Sequence, residues 1–249
     1  MSDDVLKSLY PFMDAKPPKT TQNRSGTGNS GKSAEKTDEN PAKFGVSDAV
    51  LAESILQKAQ ESIAVKQHYF ETQTEQLVAA AKAIAQVYRN EGKMFTMGNG
   101  GSNCDASHLA VEFLHPVTAG RPALPAINLG ADTTMILAAS NDLGFENAFV
   151  RQLIAQARAG DVLIGFSTSG CSDNLMATFR KAKELGLTTI GFAGMDGGDM
   201  AKSEAVEICL VVESMSIHRI QESHLTTYHI LWDLVHSLLA DDRKKQVGR

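Results

Sequence analysis

Cysteine is scarce in this 249-residue chain: Cys104, Cys171 and Cys209 are the three, an odd number set far apart. That count argues against a disulfide framework and fits a reduced, cytoplasmic protein. Long apolar runs are absent too. None approaches the roughly 20 residues a membrane-spanning helix needs, and the N-terminus lacks the apolar core of a secretory signal. There is no basic excess either. The net charge is −5 and aromatics make up 6%, which argues against a general nucleic-acid binder with its basic face. No internal repeat is visible. Finally, the run Gly98-Asn99-Gly100-Gly101-Ser102-Asn103 lacks the third glycine of a dinucleotide-binding turn, which lowers that reading.

What is present falls into three stretches. Val5, Leu6, Leu9 and Tyr10 could make one turn of a docking helix stopped by Pro11, or a frayed end. Residues 15–45 are Lys, Thr, Ser, Gly and Asn with almost no apolar content. They cannot bury a core, so 1–45 reads as a largely disordered extension. Residues 46–242 read as one α/β domain, and 243–249 as a polar tail. Within the domain, Ser47-Asp48 opens an amphipathic helix to about Gln67, and a second carries Leu77, Ala80, Ile84, Val87 and Tyr88 up to Gly92. Strands are then expected at 94–97, 123–129, 161–166, 188–192 and 206–212. Helices are expected at 132–140, 145–156, 172–185 and 218–239, with a turn at 141–144. Such alternation implies a three-layer fold: a parallel sheet with helices on both faces, plus two N-terminal helices. Ligands of these folds bind beyond the carboxyl ends of the strands.

Two polar loops fall at that end. The first, 98–102, links a strand to a helix, and Gly98, Gly100 and Gly101 permit close backbone approach to an anion. Ser102 is placed to cap that helix or to bond a phosphate oxygen. The second offers Ser167, Thr168, Ser169 and Ser172 just ahead of a helix. Alone it reads slightly better as a turn capping its own helix; beside the first loop, a phosphate site is the better reading. His108 and Glu112, four apart, share one helix face. On the last helix Gln221 and His229 lie about two turns apart, near one face. His229, between Leu225 and Leu234, also reads as an ordinary core histidine.

A set of ordered motifs goes further. Gly-Asn-Gly-Gly-Ser at 98–102 is followed by Cys-Asp-Ala-x-His-x-x-x-Glu at 104–112 and Arg-Pro-x-x-Pro-Ala-Ile at 121–127. Then come Asn-Asp-x-Gly at 141–144, Gly-Asp-Val-Leu-Ile-Gly-x-Ser-Thr-Ser-Gly at 160–170, Gly-x-Asp-Gly-Gly at 194–198 and Arg-Ile-Gln-Glu at 219–222. In these the chain resembles the phosphoheptose isomerase family of sugar isomerase (SIS) domains, over roughly residues 48–240. The resemblance implies a flavodoxin-like SIS fold, a homotetramer, and conversion of sedoheptulose 7-phosphate to an aldose heptose 7-phosphate through a cis-enediol for lipopolysaccharide-type heptosides. It implies Glu112 as the base and His229 as its acid/base partner. It implies zinc at His108, Glu112, Gln221 and His229. Substrate contacts would come from Asn99, Gly100, Gly101, Ser102, Asp142, Ser167, Thr168, Ser169, Ser172 and Gln221. Two stretches depart from the family pattern. Phe113-Leu114-His115-Pro116 stands where a Gly-Arg-aromatic run is usual, and His218 where Asp is usual. A non-catalytic SIS module, of the kind that binds a replication initiator, and a phosphosugar sensor are the other readings.

Overall fold

The computed structural model describes residues 47–247, with side chains to residue 240. The docking turn at 5–10 and the extension 15–45 lie outside the described residues. Where two N-terminal helices were expected there is one, α1, spanning Asp48–Arg89 over 42 residues. Ser47 caps it, its side chain accepting from Val50 N–H at 3.4 Å. The polar run 71–76 weakens the apolar stripe but holds no Gly or Pro, so nothing breaks the helix there. Its polar side chains are used instead. Gln73 Oε1 accepts from Val211 N–H at 3.4 Å, and Ser62 donates to Glu222 at 2.6 Å.

Strands and helices then alternate as the apolar runs require. In chain order they are β1 (Met94–Gly98), α2 (Gly101–Leu114), β2 (Ala126–Asn128), α3 (Thr133–Leu143), α4 (Val150–Gln156) and β3 (Val162–Ser167). There follow α5 (Asp173–Glu184), β4 (Thr188–Gly194), α6 (Gly198–Lys202), β5 (Ile208–Val212) and α7 (Ile217–Val247). The sheet order is β2-β1-β3-β4-β5, every pairing parallel. Side chains alternate between two cores. Val162, Ile164 and Phe166 face α1, α2 and α7, while Leu163 faces the layer of Phe149, Leu175 and Phe179. A parallel sheet covered on both faces accounts for strands that read as near-continuous apolar runs.

Several boundaries moved. Pro122 and Pro125 shorten the second strand to three residues. Asn141, Asp142 and Leu143 belong to α3, which stops at Gly144 with φ 85°, so the expected turn begins later. The Gly/Asp-rich segment after β4 contains the short helix α6.

One packing detail bears on acid stability. His224 is fully buried, and its Nε2–H donates to the Ala193 carbonyl at 3.1 Å while Nδ1 has no hydrogen-bond partner. Burial lowers its pKa from 6.5 to about 4, the Ala193 bond opposing. A histidine harder to protonate when folded stabilises the fold above its unfolded pKa. That contribution is lost as pH falls from about 6.5 towards 4, by up to about 3 kcal/mol. The Asp105 carboxyl, raised to about 6 by burial, shifts stability the other way over the same window, so the check is a difference: the urea midpoint of the parent minus that of His224→Gln should fall as pH drops from about 6.5 to 4.

Candidate active site

The chain runs from β1 out to β2 at one edge, then returns to β3 on the other side of β1. That reversal opens a crevice at the carboxyl ends of β1 and β3. The loop after β1 and the loop after β3 flank it. In the first, only Gly100 takes a positive φ, 53°, and it serves as N-cap of α2 without a side-chain bond. Ser102 is therefore not the cap; it lies buried inside the first turn. Gly101 lies against the end of the Gln221 side chain: a Cβ there would sit 2.5 Å from Gln221 Nε2, which would have to swing aside. So the first loop touches α7 through Gln221.

The second loop is built around hydroxyls. Ser167, at the end of β3, is buried, and its Oγ accepts from Gly170 N–H at 3.1 Å. Ser172 is the N-cap of α5 but makes no capping bond; its Oγ lies 3.1 Å from Ser167 Oγ. Ser169 Oγ accepts from Cys171 N–H at 3.3 Å, and Thr168 is half-buried beside it. A helix start whose cap hydroxyl is not spent on its own backbone leaves orphan N–H groups for an anion. The two loops are joined by a residue the motifs did not single out. Asn99 and the buried Asn174 exchange amide bonds at 2.9 and 2.8 Å.

A third group gathers between α2 and α7. His108, Glu112 and His229 each offer a ligand atom within 4.8 Å of the others. His108 Nε2 lies 3.1 Å from Glu112 Oε1, and the His108 and His229 rings meet edge to face at 5.1 Å. Trp232 Nε1–H donates to the Glu112 carbonyl at 2.7 Å, tying the end of α2 to α7. Open depressions of about 440 Å³ flank the group, one bordered by Cys104, Ser107 and His108, the other by Leu225, His229 and Asp233. Beside it, burial pushes the Asp105 carboxyl up to about 6, with His108 opposing. Two imidazoles and a carboxylate make a mixed N/O set suited to a divalent cation.

The core-histidine reading of His229 does not hold. It is exposed, and the core histidines of α7 are His224 and His236. Asp142 is not brought to the group. Its carboxylate is exposed on α3 and accepts from Asn141 at 2.9 Å. His115 caps the end of α2 and His218 lies in the first turn of α7, both exposed. Among the described residues no hydrogen bond joins the 167–172 loop directly to Glu112 or His229. The link runs through Asn174 to Asn99, and through Gly101 to Gln221 on α7. Tyr228, unassigned from the motifs, puts its hydroxyl 2.8 Å from His108 Nδ1.

Comparison with known proteins gives the family and agrees with the fold. The SIS domain model matches residues 59–194. A phosphoheptose isomerase of Roseiflexus sp. is 40% identical over 188 residues, covering 76% of this chain and 94% of the relative. The structure of the Neisseria gonorrhoeae phosphoheptose isomerase superposes with a TM-score of 0.70 at 36% identity, covering 75% of this chain and 99% of that one. The Francisella tularensis phosphoheptose isomerase gives 0.71 at 31% identity, over 75% and 98%. With the five-stranded parallel sheet, the paired loops and the His/Glu/His group in place, the chain belongs to the phosphoheptose isomerase family of SIS-domain enzymes.

Proposed function

We propose that this enzyme interconverts sedoheptulose 7-phosphate and D-glycero-D-manno-heptose 7-phosphate, supplying precursors of lipopolysaccharide-type heptosides. The observation that carries the reading is the meeting of Glu112, His108 and His229 within 4.8 Å in a chain of this family. A binding module that performs no chemistry needs no such set. Ser167, Thr168, Ser169 and Ser172 hold the phosphate with the first N–H groups of α5. Asn99, Gly100, Gly101, Ser102 and Gln221 line the sugar side; Asp142, held away from the group on α3, is given no contact in this chain.

The chemistry follows from the groups. Glu112 takes a proton from C1 of the ketose, and the C–H electrons form the C1=C2 bond as the C2 carbonyl oxygen is protonated. The product is a cis-enediol. His229 supplies that proton and later takes the one on O1, the kind of transfer an imidazole performs near neutral pH. As the C1 carbonyl forms, the double-bond electrons take the proton from Glu112 at C2. No atom is gained or lost. Glu112 Oε1 is engaged with His108, which leaves Oε2 for the transferred proton. His108, Glu112, Gln221 and His229 would hold a zinc ion, which when bound polarises the substrate oxygens.

Three further features of the setting accord with this reading. The three thiols are free, as a reducing cytoplasm requires. No helix among the described residues is long and apolar enough to cross a membrane. Val50, Leu51, Ile55, Leu56 and Ile63 on α1 are more than half exposed, which suits a homotetramer.

The test is proton–deuterium exchange in D₂O with sedoheptulose 7-phosphate and with five- and six-carbon sugar phosphates, each with and without chelator. Deuterium should enter C1 of the seven-carbon ketose and C2 of its aldose product, and chelation should slow it. Exchange confined to a shorter sugar would move the substrate assignment; exchange with none would end the isomerase reading.

A further inference from the structure

Tyr228 is 1% exposed, yet its hydroxyl is spent on one partner, His108 Nδ1 at 2.8 Å. Its ring stands edge to face against both histidines of the group, 5.3 Å from His108 and 4.9 Å from His229. Phe166 of β3 backs it at 6.1 Å. Tyr228 is thus wedged between the sheet and the two imidazoles.

The hydrogen bonds around His108 fix a tautomer. Glu112 Oε1, an acceptor, lies 3.1 Å from Nε2. In the neutral ring the proton is therefore on Nε2, Nδ1 is a lone pair, and the Tyr228 O–H donates to it. When Nε2 gives its lone pair to a cation, the ring proton must sit on Nδ1, and Tyr228 must accept. A phenol can do either. A carboxylate or carbonyl in its place could only accept, and would favour the ligating tautomer alone.

We propose that Tyr228 is a positioning residue: its hydroxyl holds His108 aimed at Glu112 in the metal-free site and reverses its hydrogen bond when His108 becomes a ligand. The inference rests on the isomerase reading for its purpose, but the hydrogen bond itself is testable without turnover. A ligating histidine that loses its outer partner typically loses about 10- to 100-fold in metal affinity.

The experiment uses the full chain and Tyr228→Phe, which keeps the ring and removes the hydroxyl. In ¹⁵N-histidine spectra of the metal-free parent, His108 should show the Nε2–H tautomer, and zinc should move it to Nδ1–H. In the variant the metal-free ring should become a mixture of the two. Zinc affinity, measured by competition with a chromogenic chelator, should weaken by about 10- to 100-fold. kcat should fall while KM for the sugar phosphate stays within about twofold, since Tyr228 touches no substrate-side loop. Unchanged tautomer and unchanged zinc affinity in the variant would overturn the proposal. So would a parent His108 carrying its proton on Nδ1, a result that stands even if the variant fails to fold. A parent that isomerises no sugar phosphate yet shows the tautomer pattern would sink the proposed function and leave this hydrogen bond standing.

Discussion

Glu112→Gln should lower isomerase turnover on the order of 10²–10⁴-fold with the melting temperature little changed. The substitution is nearly isosteric. The amide oxygen can still accept from His108 Nε2, and the bond from Trp232 goes to the main-chain carbonyl, which the exchange does not touch. What is lost is basicity. A carboxamide cannot take a proton from carbon, so exchange into C1 and C2 should fall with turnover. The variant also removes one negative ligand from the group, and a zinc titration separates the two effects. Activity restored by excess zinc would make Glu112 a ligand rather than the base. Activity that is lost and stays lost supports the proton-transfer role, and full activity in the untreated variant would remove that role.

Gly170→Ala should raise KM for the sugar phosphate about 10- to 100-fold, as expected when one or two charge-assisted hydrogen bonds are displaced. Gly170 has φ +67°, a conformation costing an L-residue roughly 1–2 kcal/mol. Strain is the smaller part. A Cβ at this position would collide with the carbonyl oxygen of Gly197, and neither side can yield freely. Gly197 N–H is bonded to Gly194 O at 2.9 Å, and Met200 N–H to Gly170 O at 3.0 Å. The 167–172 loop must therefore shift, carrying the Ser167–Ser172 hydroxyl pair off its mark. Gly160→Ala, at the other end of β3, is the control. It also has positive φ, 91°, but nothing lies within 4 Å of the added carbon, so it carries strain without collision. A KM for Gly170→Ala no higher than for Gly160→Ala would mean the loop does not hold the phosphate.

Much of the fold was legible because its signals are local. Five short apolar runs, each bounded by Gly or polar residues, became five strands. Errors came where a local sign was weak or had two meanings. Asn141-Asp142-Leu143-Gly144 reads as a turn, yet only Gly144 departs from the helix. The polar stretch 71–76 looks like a gap between helices because the partner of Gln73, Val211, is 138 positions away. Ser102 has the identity of a cap, but Gly100 occupies the place. At the site the same division holds. His108 and Glu112, four apart on one helix, were visible as a pair. The bonds that complete the arrangement, Tyr228 to His108 and Asn174 to Asn99, span 120 and 75 residues. No periodicity announces them; they exist only once the strand order is known.

The strand order has a last consequence for the site. The two loops grow from β1 and β3, which are hydrogen-bonded neighbours with Gly98 opposite Phe166. Their separation is therefore a main-chain dimension, set by one inter-strand step of about 4.8 Å and braced by the Asn99–Asn174 pair. The sheet acts as a ruler: the spacing at which the two loops leave it is fixed by backbone, and only a change that moves a loop itself, as at Gly170, would alter it.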